Sequence, residues 1–153
     1  MNGPSTNGFG ADSLSPTPGV AALNDPEVVP FYSVMEFSSP DIGIALEAAD
    51  ETLLDALDYG VIRMKLDGLV VAYNAYESRV AGLSPARVLG KNFFTEVAPC
   101  TNNFMVASRF EECAVLDEQL PYVFTLKMRP RKVELRLVKA RDSASQYILV
   151  RPR

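Results

Sequence analysis

The sequence predicts an α+β domain: a five-stranded antiparallel sheet, a helical lobe inserted into it, and a helical cap in front. Three observations carry this. Two strand-like runs, Tyr59–Leu66 and Leu69–Asn74, flank Asp67-Gly68, a strong short hairpin signal. Three further runs follow toward the C-terminus, Val123–Met128, Lys132–Lys139 and Gln146–Arg151, separated by turn residues. Between the two groups, residues 75–122 carry short helical patterns instead of alternation.

Taken in order, residues 1–40 are rich in Gly, Pro, Ser and Asn, with breakers at Pro16-Thr17-Pro18-Gly19 and Asn24-Asp25-Pro26. They read as a flexible extension without a core of its own. Val28–Tyr32 is an apolar island that either docks on the domain or serves a partner. Order begins at Ser39-Pro40-Asp41, leading into the domain, residues 41–153, with Ser39 as a helix cap and Pro40 in the first turn. Leu46, Ala49, Leu53 and Leu57 form a helical stripe with the acids mostly off it, which marks a docking face.

The hairpin comes next. In the lobe, Ser84–Leu89 starts like a capped helix and Ala107–Leu116 reads as a longer one. Lys132–Lys139 places Val133, Leu135 and Leu137 on one face, and Arg129-Pro130-Arg131 and Arg141-Asp142-Ser143 are the connecting turns. Two strands, a helical lobe and a three-strand meander describe a PAS-type sheet, with the lobe enclosing a small pocket.

Composition limits the chemistry. The chain has 153 residues, one domain's worth, with 15 basic and 19 acidic side chains and a net charge of −4. The 48% hydrophobic content is enough for a core. It has no histidine, which excludes Ser-His and Cys-His catalysis, His-ligated zinc and His-bound haem. Two cysteines cannot build an all-cysteine metal site, and the acidic balance argues against phosphate-driven nucleic-acid binding. An enzyme is therefore not expected. No run reaches the roughly 18 apolar residues of a membrane helix, and the N-terminus lacks a basic segment followed by an apolar one. A cytoplasmic protein with free thiols is the expectation.

Three side chains stand out. Glu77 follows Tyr73 by four residues, so a helical turn there puts phenol and carboxyl on one face. Among Val71, Ala75, Val80 and Ala81, a carboxyl turned inward loses solvation and its pKa rises, leaving it able to donate to a buried anion. The pattern equally allows an exposed Glu77 and an ordinary core tyrosine. Cys100 lies in Pro99-Cys100-Thr101-Asn102-Asn103, where a helix opening at Asn102 or Asn103 would favour thiolate. A buried structural cysteine is the other reading, and it is the better one for Cys113. Gly90-Lys91-Asn92-Phe93-Phe94 lacks the P-loop spacing; Lys91 is read as solvated and the two phenylalanines as anchors.

Gly90–Phe94, then Val97-Ala98-Pro99-Cys100-Thr101, closely resembles the signature of the photoactive yellow protein family, as does Tyr73-Asn74-Ala75 followed by Glu77. The Leu54-Asp55, Gly60-Val61-Ile62 and Met128-Arg129-Pro130 segments are similar too, so the resemblance runs from about Leu53 to the C-terminus. It implies a PAS fold with p-coumaric acid held as a thioester on Cys100 and hydrogen bonds from Tyr73 and Glu77 to the phenolate. It also implies a lining of Ile62, Val97, Ala98, Phe124 and Met128. Blue light would drive trans-to-cis isomerisation, Glu77 would give up its proton, and the stress of an unpaired buried carboxylate would loosen the N-terminal cap.

Two positions depart from the family pattern. Ala81 stands where a hydroxyl is common, and Leu83 where an arginine is. Both imply a less firmly held phenolate, with a raised chromophore pKa. The connection at Asp117–Pro121 looks shorter than in relatives, and the N-terminal extension longer. A light-insensitive PAS module, sensing a ligand or binding a protein, is the alternative function. Either way the output passes to an unknown signalling partner, with neither nucleic acid, membrane nor metal involved, and the chain is expected to be a monomer or weak homodimer.

Overall fold

The computed structural model describes residues 35–125 and 129–153. The expectations for residues 1–34 and for Met128 lie outside the described residues. The elements are α1 Ile42–Ala48, α2 Glu51–Asp55, β1 Gly60–Lys65, β2 Val70–Tyr73, α3 Ala75–Ala81 and α4 Pro85–Val88. A π-helical turn at Phe93–Val97 and a 3-10 turn at Pro99–Thr101 follow, then α5 Ala107–Glu112, β3 Leu116–Phe124, β4 Arg131–Lys139 and β5 Ser145–Pro152.

The five strands lie in the order β2-β1-β5-β4-β3, every neighbouring pair antiparallel. Gly68, at φ 92, takes the left-handed turn position that closes the β1–β2 hairpin, and its N–H donates to Lys65 O at 2.9 Å. Alternation gives the sheet two apolar faces. Ile62, Met64, Phe124, Val133, Leu135, Leu137, Ile148 and Val150 pack with the lobe residues Phe93, Ala98 and Phe110. Val61, Val138, Tyr147 and Leu149 pack on the other side with Ile42, Leu46 and Leu54 of the cap.

The cap differs from the single helix expected. The chain breaks at Ala49-Asp50, and Asp50 caps α2 by accepting from Leu53 N at 2.9 Å. The stripe nonetheless docks, with Leu46 and Ala49 buried and Leu53 and Leu57 half-buried. Ser39 is not the cap: its Oγ accepts from Glu36 N, and α1 follows Asp41. Ahead of the expected boundary at residue 40, Met35 and Phe37 lie buried in the back core. Tyr59 Oη donates to Met35 O at 2.6 Å, and the Phe37 ring meets Tyr59 edge-on at 5.6 Å.

In the lobe, α5 ends at Glu112 instead of continuing to Leu116, and Leu116 opens β3. Asp117–Pro121 is therefore strand and not a connection. Leu116, Glu118, Leu120, Tyr122 and Phe124 alternate with the exposed Asp117, Gln119, Pro121 and Val123. The strand is at the sheet edge and pairs with β4 alone, which is where a proline lacking an N–H is tolerated.

Candidate functional site: a buried carboxyl and a pinned cysteine

Tyr73 ends β2 opposite Ile62. The next residue, Asn74, ends the strand and starts the helix. Its Oδ1 accepts from Glu77 N at 3.1 Å as the α3 cap, and from Val61 N at 2.9 Å. Its Nδ2 donates to Leu54 O and Tyr59 O at 2.8 and 2.9 Å. One buried amide thus ties the start of α3 to α2 and β1. The helix begins after Tyr73, so strand geometry and the Asn74 cap, not a shared helical face, bring phenol and carboxyl inward. Both are buried: Tyr73 is 5% exposed and Glu77 1%.

Gly60, the first residue of β1, leaves room for Glu77. A Cβ at Gly60 would collide with Glu77 Oε1. The two carboxylate oxygens differ in their surroundings. Oε2 accepts from Arg131 Nη2 at 2.9 Å, while Oε1 has no hydrogen-bond partner among the described residues. Burial pushes the Glu77 pKa up, and Arg131 pulls against it with its charge and its hydrogen bond. Burial, with the neighbouring Glu77 charge, likewise holds the Tyr73 phenol above its ordinary value, and Arg131 opposes this. Of the two readings of Glu77 left open by the sequence, the structure has the buried one.

Cys100 sits in the 3-10 turn, half-buried. Tyr122 Oη donates to its carbonyl at 2.6 Å and Asn103 Nδ2 at 3.0 Å, so its backbone is pinned to β3. The helix expected at Asn102 or Asn103 does not form there. Asn103 Oδ1 instead accepts from Met105 N and Val106 N, and α5 starts only at Ala107. Cys100 therefore does not lie at the start of α5. Cys113 caps the C-terminus of α5, half-buried against the core. Lys91 is exposed and Phe93 buried, as expected.

Ile62, Tyr73, Ala98 and Phe124 share one core cluster, with Val97 and Cys100 packed on its border. A cavity of about 430 Å³ adjoins it, lined by Arg79, Val80, Ala81, Gly82, Phe124, Arg129, Pro130 and Arg131. Arg131 links the cavity to the carboxyl. It is the register partner of Phe124, and its Cζ lies 5.5 Å from the centre of that ring. In the sequence Arg131 reads as turn, although it continues the inward alternation of Val133, Leu135 and Leu137. Sequence reasoning also misses the roles of Gly60 and Asn74.

A family model described as PAS fold matches residues 48–152. Over 121 residues the chain is 35% identical to the photoactive yellow protein of Rhodothalassium salexigens, covering 77% of this chain and 97% of that one. For the Halochromatium salexigens protein the figures are 36% over 122 residues, 78% and 98%. The chain belongs to the photoactive yellow protein family. A solved relative is the photoactive yellow protein domain of a sensor histidine kinase from Rhodospirillum centenum. It is 38% identical, with a TM-score of 0.63, and the match covers 69% of this chain and 95% of that one. Within this photoactive yellow protein fold, Leu83 is not merely a missing cation, since it packs half-buried against the main core. Ala81 lines the cavity beside Phe124 and Arg131. No helix among the described residues is long and apolar enough to cross a membrane.

Proposed function

We propose that the chain is a cytoplasmic blue-light photoreceptor that carries p-coumaric acid as a thioester on Cys100. The observation that carries the reading is Glu77: a carboxyl 1% exposed with one oxygen unpartnered among the described residues. An unpartnered buried polar atom is costly unless a ligand completes it. A phenolate oxygen is a fitting complement to a carboxyl whose pKa burial raises. Tyr73, with its phenol held protonated, would supply a second hydrogen bond.

The bound hydroxycinnamoyl group would supply light absorption and trans-to-cis isomerisation. The chain does the rest. Cys100 anchors the group from a turn whose carbonyl is fixed by Tyr122 and Asn103. Ile62, Val97, Ala98, Phe124 and Met128 would keep water from it. Glu77 holds a proton at its carboxyl and releases it toward the phenolate after illumination. The charge change would loosen the packing of the cap and pass the signal to a separate signalling protein.

The test is reconstitution. Incubation of the ligand-free protein with an activated p-coumaroyl ester is expected to give a yellow product, one acyl mass increment and a light-driven bleach. Cys100→Ala abolishes all three. A colourless wild-type product overturns the reading and leaves a light-insensitive PAS module.

A further inference from the structure

We propose that Arg131 is a positioning residue for proton release from Glu77: it is the built-in cation that receives the carboxylate and holds it against return of the proton. This rests on the photoreceptor reading above. The two oxygens of Glu77 are served unequally. Oε2 already accepts from Arg131 Nη2 at 2.9 Å, while Oε1 has no partner among the described residues. The guanidinium is fixed by more than that bond. Arg131 opens β4 directly opposite Phe124, and its Cζ sits 5.5 Å from the centre of that ring, with the side chain 23% exposed. A cation this close to an aromatic face is attracted to it, so the ring helps hold the guanidinium in place.

The consequence concerns where the negative charge rests. When Glu77 releases its proton, the O–H bond of its carboxyl breaks, a new O–H bond forms at the phenolate oxygen, and the net charge of the site is unchanged. The charge moves onto Glu77, next to Arg131. A buried carboxylate without a cation is strongly disfavoured, and one already facing a guanidinium is much less so. In this chain the proton transfer therefore ends in an ion pair. The charge-shifted state is held, and recovery is slow. The charged or titratable groups that act on Glu77 among the described residues are few. β4 offers Arg131, β2 offers the Tyr73 phenol, and β1 offers only Gly60.

The first arm of the test uses the full chain without chromophore. The infrared band of the protonated carboxyl, assigned to Glu77 by its loss in Glu77→Gln, is followed against pH. In Arg131→Gln its midpoint is expected to rise by at least one pH unit, and in Arg131→Lys to return to within half a unit of wild type. A merely structural role for Arg131 would not be rescued by charge alone. The second arm uses protein loaded with the p-coumaroyl ester. Recovery after a flash is expected to be at least tenfold faster in Arg131→Gln, and within threefold of wild type in Arg131→Lys. A midpoint that does not move, or recovery unchanged within twofold, overturns the role of Arg131. If the midpoint moves but wild-type protein stays colourless, the photoreceptor reading fails and takes the holding role with it.

Discussion

Gly60 lies directly against Glu77: a methyl group at Gly60 would come within 3.0 Å of Glu77 Cδ and closer still to Oε1. The first residue of β1 thus sets how deep the carboxyl can go. Its backbone is ordinary, since Gly60 is not among the positive-φ glycines, so conformational freedom does not explain a glycine here. Gly60→Ala would gain slightly from the backbone term, but the collision dominates. The expected loss is about 1–3 kcal/mol, in the range of an overpacked core, measured by urea unfolding. In a Glu77→Ala background the same substitution should cost less than about 1 kcal/mol. Equal costs in both backgrounds would show that the contact does not limit the site.

A second prediction follows from the pKa of Glu77, which burial raises and Arg131 only partly lowers. In the window between the unfolded and folded values, the folded state keeps a proton that the unfolded state has released. Stability therefore falls as pH rises through that window, with a slope of up to about 1.4 kcal/mol per pH unit, and levels off above it. Glu77→Gln cannot titrate, so this part of the slope disappears. Urea unfolding of both proteins from mildly acidic to neutral pH gives the difference directly. A wild type whose stability relative to Glu77→Gln rises with pH would mean that Arg131 outweighs burial.

The cap depends on Arg136, buried on the back face of β4. It donates to both oxygens of Asp117 at 2.7 and 2.8 Å, and to the carbonyls of Phe37 and Ser39 at 2.7 and 2.8 Å. Arg136→Met keeps the apolar stem and removes every donor. Charged hydrogen bonds are worth about 1.5–3 kcal/mol each, and Asp117 can regain water because its side chain is 49% exposed. A loss of about 3 kcal/mol follows. Amide exchange in residues 36–44 should accelerate more than in β5. Uniform acceleration would mean that the cap is not held separately from the sheet.

The legible and illegible parts of this chain divide along physical lines. The hairpin, β4 and β5 are readable because alternation and Asp67-Gly68 act locally. The edge strand β3 is not: Pro121 signals a break, and only its place beside β4 alone makes a proline acceptable. The cap helix reads as one because its stripe is continuous, although Asp50 restarts the chain within it. At the candidate site, Tyr73, Glu77 and Cys100 stand out in the sequence by residue type and motif. Gly60 and Arg131 do not, because their roles come from strand pairing and from the reach of a side chain across the sheet, neither of which is encoded in neighbouring residues.

The last prediction concerns Ala81, half-buried at the edge of the cavity that Phe124 and Arg131 also line. The family resemblance implies a hydroxyl there that orients Tyr73, so a serine at this position is expected to restore that hydrogen bond. One neutral hydrogen bond is worth about 0.5–1.5 kcal/mol net. At about 1.36 kcal/mol per pKa unit, that corresponds to a change of about 0.4–1.1 pH units. In protein loaded with the p-coumaroyl ester, Ala81→Ser should lower by that amount the pH at which the phenolate colour is lost. The direction follows because a donor that favours the tyrosine orientation favours the charged form of its acceptor. An unchanged titration would mean that Tyr73 is already oriented by the β2 end and its burial, and that the alanine costs the site nothing.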